Sequence, residues 1–315
     1  MSLTLVVALF DLARRNEVTR RSMDWLIEHG QRVLALDYPM VVYTEKHLLG
    51  RLAHERAVRG LYQKTQFVIT EFEELPHYPV WKGQEASLSL VKNRNPVSDH
   101  LDNFLINWEK PGLIAGVAVA NPFGTSHTAW INLGIQNVQA FDSVGWEDAF
   151  DPPDVVRIHQ QRYLNKAIVS DPEFYQYGRC VTAGGFLAGT AESLAEFADD
   201  FYEELNRVLG MGLAPNDEDV IGTMLVEHPE KYVVSYGDYG QIFCNAKRPR
   251  WGGGSLQWVY NRSLYWMIGA AMACGDLPWA ARLWHLIMQS ARDGYFTDDT
   301  AVLEQFRPVL EPLGG

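Results

Sequence analysis

Cysteine is scarce in this chain of 315 residues: only Cys180, Cys244 and Cys274 occur, with no C-x-x-C spacing. Neither a disulfide framework nor a structural zinc site is indicated, and a reducing cytoplasm fits. No apolar run approaches the ~18 residues that a membrane span requires. The first one, residues 3–10, meets Asp11, Arg14 and Arg15 at once, too short and too early for a signal peptide. Positive charge is short as well: 27 Lys and Arg against 39 Asp and Glu leave a formal net charge of -12. That argues against a nucleic-acid surface, which needs clustered basic residues, and in favour of small-molecule partners. H-E-x-x-H, a G-x-S-x-G elbow and a P-loop are all missing, which weakens zinc-hydrolase, serine-hydrolase and kinase readings.

What the chain does have is enough apolar residue, 47% of the total, to bury one large core or two modest ones. Residues 3–10 are uniformly apolar and rich in β-formers, as expected of a central parallel strand covered on both faces. A helix over about 18–30, a strand over 40–43, a helix over about 48–62 and a strand over 65–70 follow, so the chain opens as βαβ. Residues 76–100 carry Pro76, Pro79 and Pro96 among polar groups and read as irregular. Helical patterning returns over 101–120. The fold class expected is therefore α/β.

Three blocks in the middle third carry the chemistry. Thr128 to Ile135 is an apolar strand with a polar break at Asn132, Thr182 to Gly189 a strand with the pair Gly184-Gly185, and Asn216-Asp217-Glu218-Asp219 an acidic helix start. Glycine lets backbone approach a ligand closely, or makes a bulge or turn. Asn216 is a good N-cap and acids suit a first helical turn, so the third block has a structural reading too. The alternative is a carboxylate that points into a cleft to hold a sugar hydroxyl or take a proton. Asp11, just past the first strand, lies where open α/β sheets bind ligands, or simply ends the strand. Asp238 sits between glycines in residues 236–243, a segment suited to closing over a ligand and equally to a turn.

These residues resemble a known family. Val6-Val7-Ala8-Leu9-Phe10-Asp11-Leu12, Pro39-Met40-Val41-Val42-Tyr43, Asn121-Pro122-Phe123 followed by Trp130-Ile131-Asn132-Leu133-Gly134, and Ala183-Gly184-Gly185-Phe186 leading to Asp217-Glu218 are similar in order and spacing to the bacterial HtrL/YibB-like (WlaTC-like) family. The resemblance spans roughly residues 5–243. It implies a GT-A-like fold, a Rossmann-like mixed sheet flanked by helices, and glycosyl transfer from a nucleotide-sugar donor to an acceptor. It also puts Asp217 and Glu218 forward as catalytic. One position departs from the pattern: the family usually has aspartate where this chain has Asn132.

A donor diphosphate must be met by a divalent cation, by Lys or Arg, or by backbone N–H groups. Asn132 offers a neutral carbonyl oxygen, a weaker ligand for magnesium or manganese than a carboxylate, which puts a tight metal site in doubt. Lys110 and Arg56 are the candidates for phosphate charge. The expected donor site is thus Asp11, Arg56, Lys110, Asn132, Gly184, Gly185 and Asp238.

After residue 249 the pattern changes. Residues 251–255 read as a hinge, and 258–273 and 278–292 as a Trp-rich helical hairpin. The expected division is 1–249 for the nucleotide-sugar domain and 250–315 for a helical appendix that packs on that domain or on a second copy. Two further readings stay open: a non-catalytic sugar-nucleotide or glycan-binding relative, and a scaffold acting through the Trp-rich helices.

Overall fold

The structure, a computed structural model, describes residues 2–15, 22–93, 100–135, 154–243, 257–294 and 300–313. Its frame is a seven-stranded sheet of β1 (Leu3–Leu9), β2 (Met40–Thr44), β3 (Thr65–Ile69), β5 (His127–Ile131), β6 (Val156–Gln160), β7 (Phe186–Gly189) and β9 (Tyr232–Tyr236), in the order β3-β2-β1-β5-β7-β6-β9. Neighbouring strands are parallel except around β7, which runs antiparallel to both β5 and β6. A parallel pair of two-residue strands, β4 (Ser89–Leu90) and β8 (Leu213–Ala214), stands apart. This mostly parallel sheet with helices on both faces is the mixed α/β architecture expected.

Side-chain alternation assigns the faces. Leu5, Val7 and Leu9 join one core with Ala129, Ile131, Phe186 and Ala188, while Val6, Trp130 and Leu187 join the other. Helices α1 (Met23–Leu34) and α2 (Leu49–Ala57) cover the first face through Ile27, Val33 and Leu52. The second face is covered by α4 (Leu101–Ala120) and α5 (Ala191–Gly210). A short α3 (Tyr78–Gly83) lies in the segment expected to be irregular and buries Trp81 against Trp108.

Helix α4 is apolar nearly all round and runs through the interior. Pro111 lies inside it and has no N–H for the Asn107 carbonyl. One residue on, the Gly112 N–H donates to the Tyr202 hydroxyl at 2.9 Å. Helix α6 (Asp217–Glu227) starts at the N-cap anticipated, Asn216, whose side chain accepts the Glu218 N–H at 3.3 Å.

The hairpin of α7 (Gln257–Ala273) and α8 (Leu277–Arg292) forms a third core of its own. Tyr163 and Tyr236 of the main body join that core, and the Tyr163 hydroxyl donates to Asp276 at 2.8 Å. The division expected at 249/250, and the 251–255 hinge, fall outside the described residues. Among those described, no helix is long and apolar enough to cross a membrane.

Candidate active site

Strand β1 leads into α1 on one face of the sheet, and α4 leads into β5 on the other. Where the connections part, the carboxyl ends of β1 and β5 leave a crevice, the place where open α/β sheets bind ligands. A cleft of about 350 Å³ occupies it. Its walls come from β1 (Ala8 to Phe10) and Leu12, from the end of β5 and the residues after it (Trp130, and Asn132 to Ile135), from one side of α4 (Asn103, Asn107, Lys110) and from Tyr239. Among the described residues the lining mixes amides, apolar surface and a single cation.

Lys110 is 4% exposed and its Nζ lies 3.1 Å from Asp217 Oδ2, itself 2% exposed, and 3.4 Å from the Gly184 carbonyl. Asp217 opens α6, so the N-terminal end of that helix meets the side of α4 beneath the Gly184-Gly185 turn that leads into β7. Glu218, half-buried beside it, accepts the Gly184 N–H at 3.1 Å. Burial first, and the Asp217 charge second, push the Glu218 carboxyl up to about 8. Adjacent residues thus hold one carboxylate paired with an ammonium and one carboxyl that is largely protonated at pH 7. Such a split is how one site provides both charge and a proton-handling group.

The glycine pair is required by close approach, since neither residue has a positive φ. A Cβ on Gly184 would stand 2.6 Å from Asp217 Oδ2, and one on Gly185 would collide with the Tyr239 hydroxyl. The Gly185 carbonyl also accepts the Asn132 N–H at 2.9 Å. Asn132 Oδ1 accepts the Trp130 indole N–H at 2.7 Å, which fixes the amide in the cleft wall. Burial first, then the charges of Glu218 and Asp217, hold the Tyr239 phenol well above its ordinary value, so it is a neutral hydrogen-bonding group.

Tyr239 owes its place to residues outside the cleft. Asp238 caps the turn by accepting the Tyr239 N–H at 2.6 Å. His159, fully buried on β6, meets the Asp238 carbonyl at 2.9 Å through Nε2 and Ser235 Oγ at 2.9 Å through Nδ1. Burial above all, with Arg157 nearby, drives the imidazole down to about 3. It is therefore neutral, and a carbonyl can only accept, so Nε2 carries the proton and Nδ1 accepts from Ser235.

The sequence-predicted residues divide accordingly. Lys110, Asn132, Gly184, Gly185, Asp217 and Glu218 come together. Asp11 borders the cleft between Phe10 and Leu12, but its carboxylate faces away from it, accepting the Arg14 N–H at 3.3 Å and lying 3.2 Å from His47 Nε2. Asp238 lines a second cavity instead. Arg56 must be corrected. It is 0% exposed, its guanidinium donating to the carbonyls of Leu34, Leu36 and Tyr38 and to Thr65 Oγ1 at 2.7–2.9 Å, so it clamps the α1–β2 turn and stands outside the cleft. Asn103, Asn107 and the supporting His159 were not singled out by sequence, and Tyr239 entered only as part of residues 236–243; an amide on an amphipathic helix carries no local signal.

A hard divalent ion wants several carboxylate oxygens. Here Asn132 Oδ1 is engaged by Trp130, and the Lys110 ammonium sits against Asp217. No group of three His, Cys, Asp or Glu residues suited to a metal occurs among the described residues. Among the described residues, the donor set does not fit magnesium or manganese.

A family model described as "Bacterial protein of unknown function (HtrL_YibB)" matches residues 1–246. Among solved structures, the apo crystal structure of mouse xyloside xylosyltransferase 1 is similar, with 11% identity, 75% of this chain and 85% of that chain covered, and a TM-score of 0.42. No curated protein matches the sequence.

Proposed function

The chain belongs to the bacterial HtrL/YibB family, and from that premise and the cleft geometry we propose that it is a glycosyltransferase using a nucleotide-sugar donor. The observation that carries the reading is the Lys110–Asp217 pair in a crevice at the carboxyl ends of β1 and β5, directly under Gly184-Gly185. A donor diphosphate needs positive charge in a partly dry site, and Lys110 is the one cation lining this cleft among the described residues. Asp217 holds the ammonium in position. Asn103, Asn107 and Asn132 offer donors and acceptors suited to sugar and ribose hydroxyls. In the transfer, the acceptor hydroxyl oxygen bonds to the anomeric carbon and its proton passes to Glu218 in its ionised form, the minor one at pH 7. The bond from that carbon to the diphosphate oxygen breaks, and the electron pair leaves on the diphosphate beside Lys110. Because the donor set does not suit a hard cation, the transfer relies on Lys110 in place of a metal. The absence of any disulfide-type cysteine spacing points to the cytoplasm as its compartment.

The test is a panel of nucleotide sugars assayed for release of the nucleoside diphosphate and, in parallel, for a raised melting temperature. Stabilisation with turnover supports the proposal. Stabilisation without turnover replaces it with a sugar-nucleotide-binding role, and neither response removes it.

A further inference from the structure

The cleft wall at the end of β5 holds a chain of hydrogen bonds whose direction is fixed at its first member. Trp130 is 2% exposed, and its indole N–H can donate but has no lone pair to accept with. The Asn132 atom 2.7 Å from it is therefore the carbonyl oxygen, and the amide nitrogen is turned the other way. The backbone of Asn132 is equally committed: its N–H donates to the Gly185 carbonyl at 2.9 Å, and its carbonyl accepts the Ile135 N–H at 3.0 Å. What Asn132 has left to offer the cleft it lines is an amide N–H.

Tyr239 is the next member. It lines the same cleft, and its hydroxyl stands where a Cβ on Gly185 would collide with it. Burial first, then Glu218 and Asp217, raise the phenol, while the Asn132 side chain lowers it, which is the effect of an amide N–H directed at the phenol oxygen. The phenol keeps its proton at neutral pH, and among the described residues no carbonyl or carboxylate takes a hydrogen bond from it. Indole, amide and phenol thus donate in one direction, toward the cleft.

The charges beside this chain of donors are nearly balanced. Lys110 is paired with Asp217 at 3.1 Å, and burial leaves Glu218 largely protonated at pH 7. A diphosphate that enters meets an ammonium already shared with a carboxylate, so neutral donors must take up part of its charge. A hard cation wants oxygen lone pairs, and the Asn132 oxygen is turned away from the cleft toward Trp130.

We propose that Asn132 determines the form in which this cleft takes its nucleotide: with its oxygen held by Trp130, it and Tyr239 donate hydrogen bonds to the diphosphate, and the cleft selects the metal-free anion over its divalent-cation complex. The assignment rests on the nucleotide-sugar reading and adds a specificity-determining residue to it.

The experiment is isothermal titration of uridine and guanosine diphosphates into the full chain, once with a chelator and once with magnesium, and ligand-observed NMR of uridine and guanosine themselves. The wild type is expected to bind at least one diphosphate in chelator, with no gain from magnesium. Asn132→Asp keeps the shape and the acceptor for Trp130 but turns an anionic oxygen toward the cleft. It should weaken metal-free binding of the diphosphate by about tenfold or more and leave binding of the nucleoside unchanged. Tyr239→Phe, which removes only the last hydroxyl, should weaken the diphosphate by about threefold or more with the same selectivity, and it decides the matter alone if Asn132→Asp does not fold. Unaltered diphosphate affinity in either folded variant, equal loss of nucleoside and diphosphate, or wild-type binding that requires magnesium would overturn the proposal and leave the transferase reading in place. Binding of neither diphosphate by the wild type under either condition would remove the transferase reading, and this assignment with it.

Discussion

The Lys110–Asp217 pair is the feature whose removal has the most calculable effect. At 3.1 Å and an effective dielectric of about 20, the attraction is about 5 kcal/mol, offset by the desolvation of two almost fully buried groups. Taking away the ammonium with Lys110→Met keeps most of the side-chain volume but leaves the Asp217 carboxylate buried without its partner. The expected loss is about 3–5 kcal/mol of unfolding free energy. Asp217→Asn alone should be costly too, since it leaves Lys110 buried with only a carbonyl and weakens the favourable charge at the start of α6. The double variant Lys110→Met/Asp217→Asn removes both charges, so its loss should be smaller than the sum of the singles by roughly 2 kcal/mol or more. Urea unfolding followed by tryptophan fluorescence provides all four corners of the cycle. A loss below about 1 kcal/mol for Lys110→Met, together with additivity in the double variant, would refute the idea of a buried, mutually dependent pair.

Three further outcomes are expected. A carboxyl raised from 4.5 to about 8 binds its proton more tightly when folded. Its contribution is therefore fully present below the unfolded value and is lost as pH rises through about 8, at up to about 1.4 kcal/mol per pH unit. Glu218→Gln should flatten the stability-pH curve in that window and cut turnover by roughly 10²-fold or more if Glu218 takes the proton; wild-type rates with an unaltered curve would leave Glu218 as part of a helix start. Arg56→Ala should cost about 3 kcal/mol or more by orphaning the carbonyls of Leu34, Leu36 and Tyr38, with nucleoside-diphosphate affinity per folded molecule unchanged; a selective loss of nucleotide binding would return Arg56 to the site. Turnover should survive a chelator, and complete loss restored by micromolar manganese would show that carboxylates other than those described here supply a metal site.

Much of this fold was legible from local pattern. The uniformly apolar β1, the helix over 101–120 and the Asn216 cap follow from side-chain period and capping chemistry, which act over a few residues. The carboxyl end of β5 and the Gly184-Gly185 turn before β7 were also readable as parts of a candidate site, because their composition departs from plain strand. Arg56 was not, since a sequence does not show whether a guanidinium meets phosphate or backbone carbonyls. The place of Tyr239 in the cleft wall and its support by His159 were not legible for a related reason. One reaches the cleft only because the other, 80 residues earlier, meets the turn carbonyl before it. Helix α3 arose where prolines suggested irregular chain, because Pro79 falls in the first turn, where a missing N–H is harmless.

The central claim is that the cleft at the ends of β1 and β5 receives a nucleotide-sugar diphosphate through Lys110. Isothermal titration of uridine and guanosine diphosphates into the chain, with a chelator present, tests it most directly, alongside Asn107→Trp to fill the cleft from α4. The account predicts metal-free binding of at least one of the two, weakened by about tenfold or more in Asn107→Trp. Binding of neither nucleotide, or equal binding to the filled cleft, would contradict it.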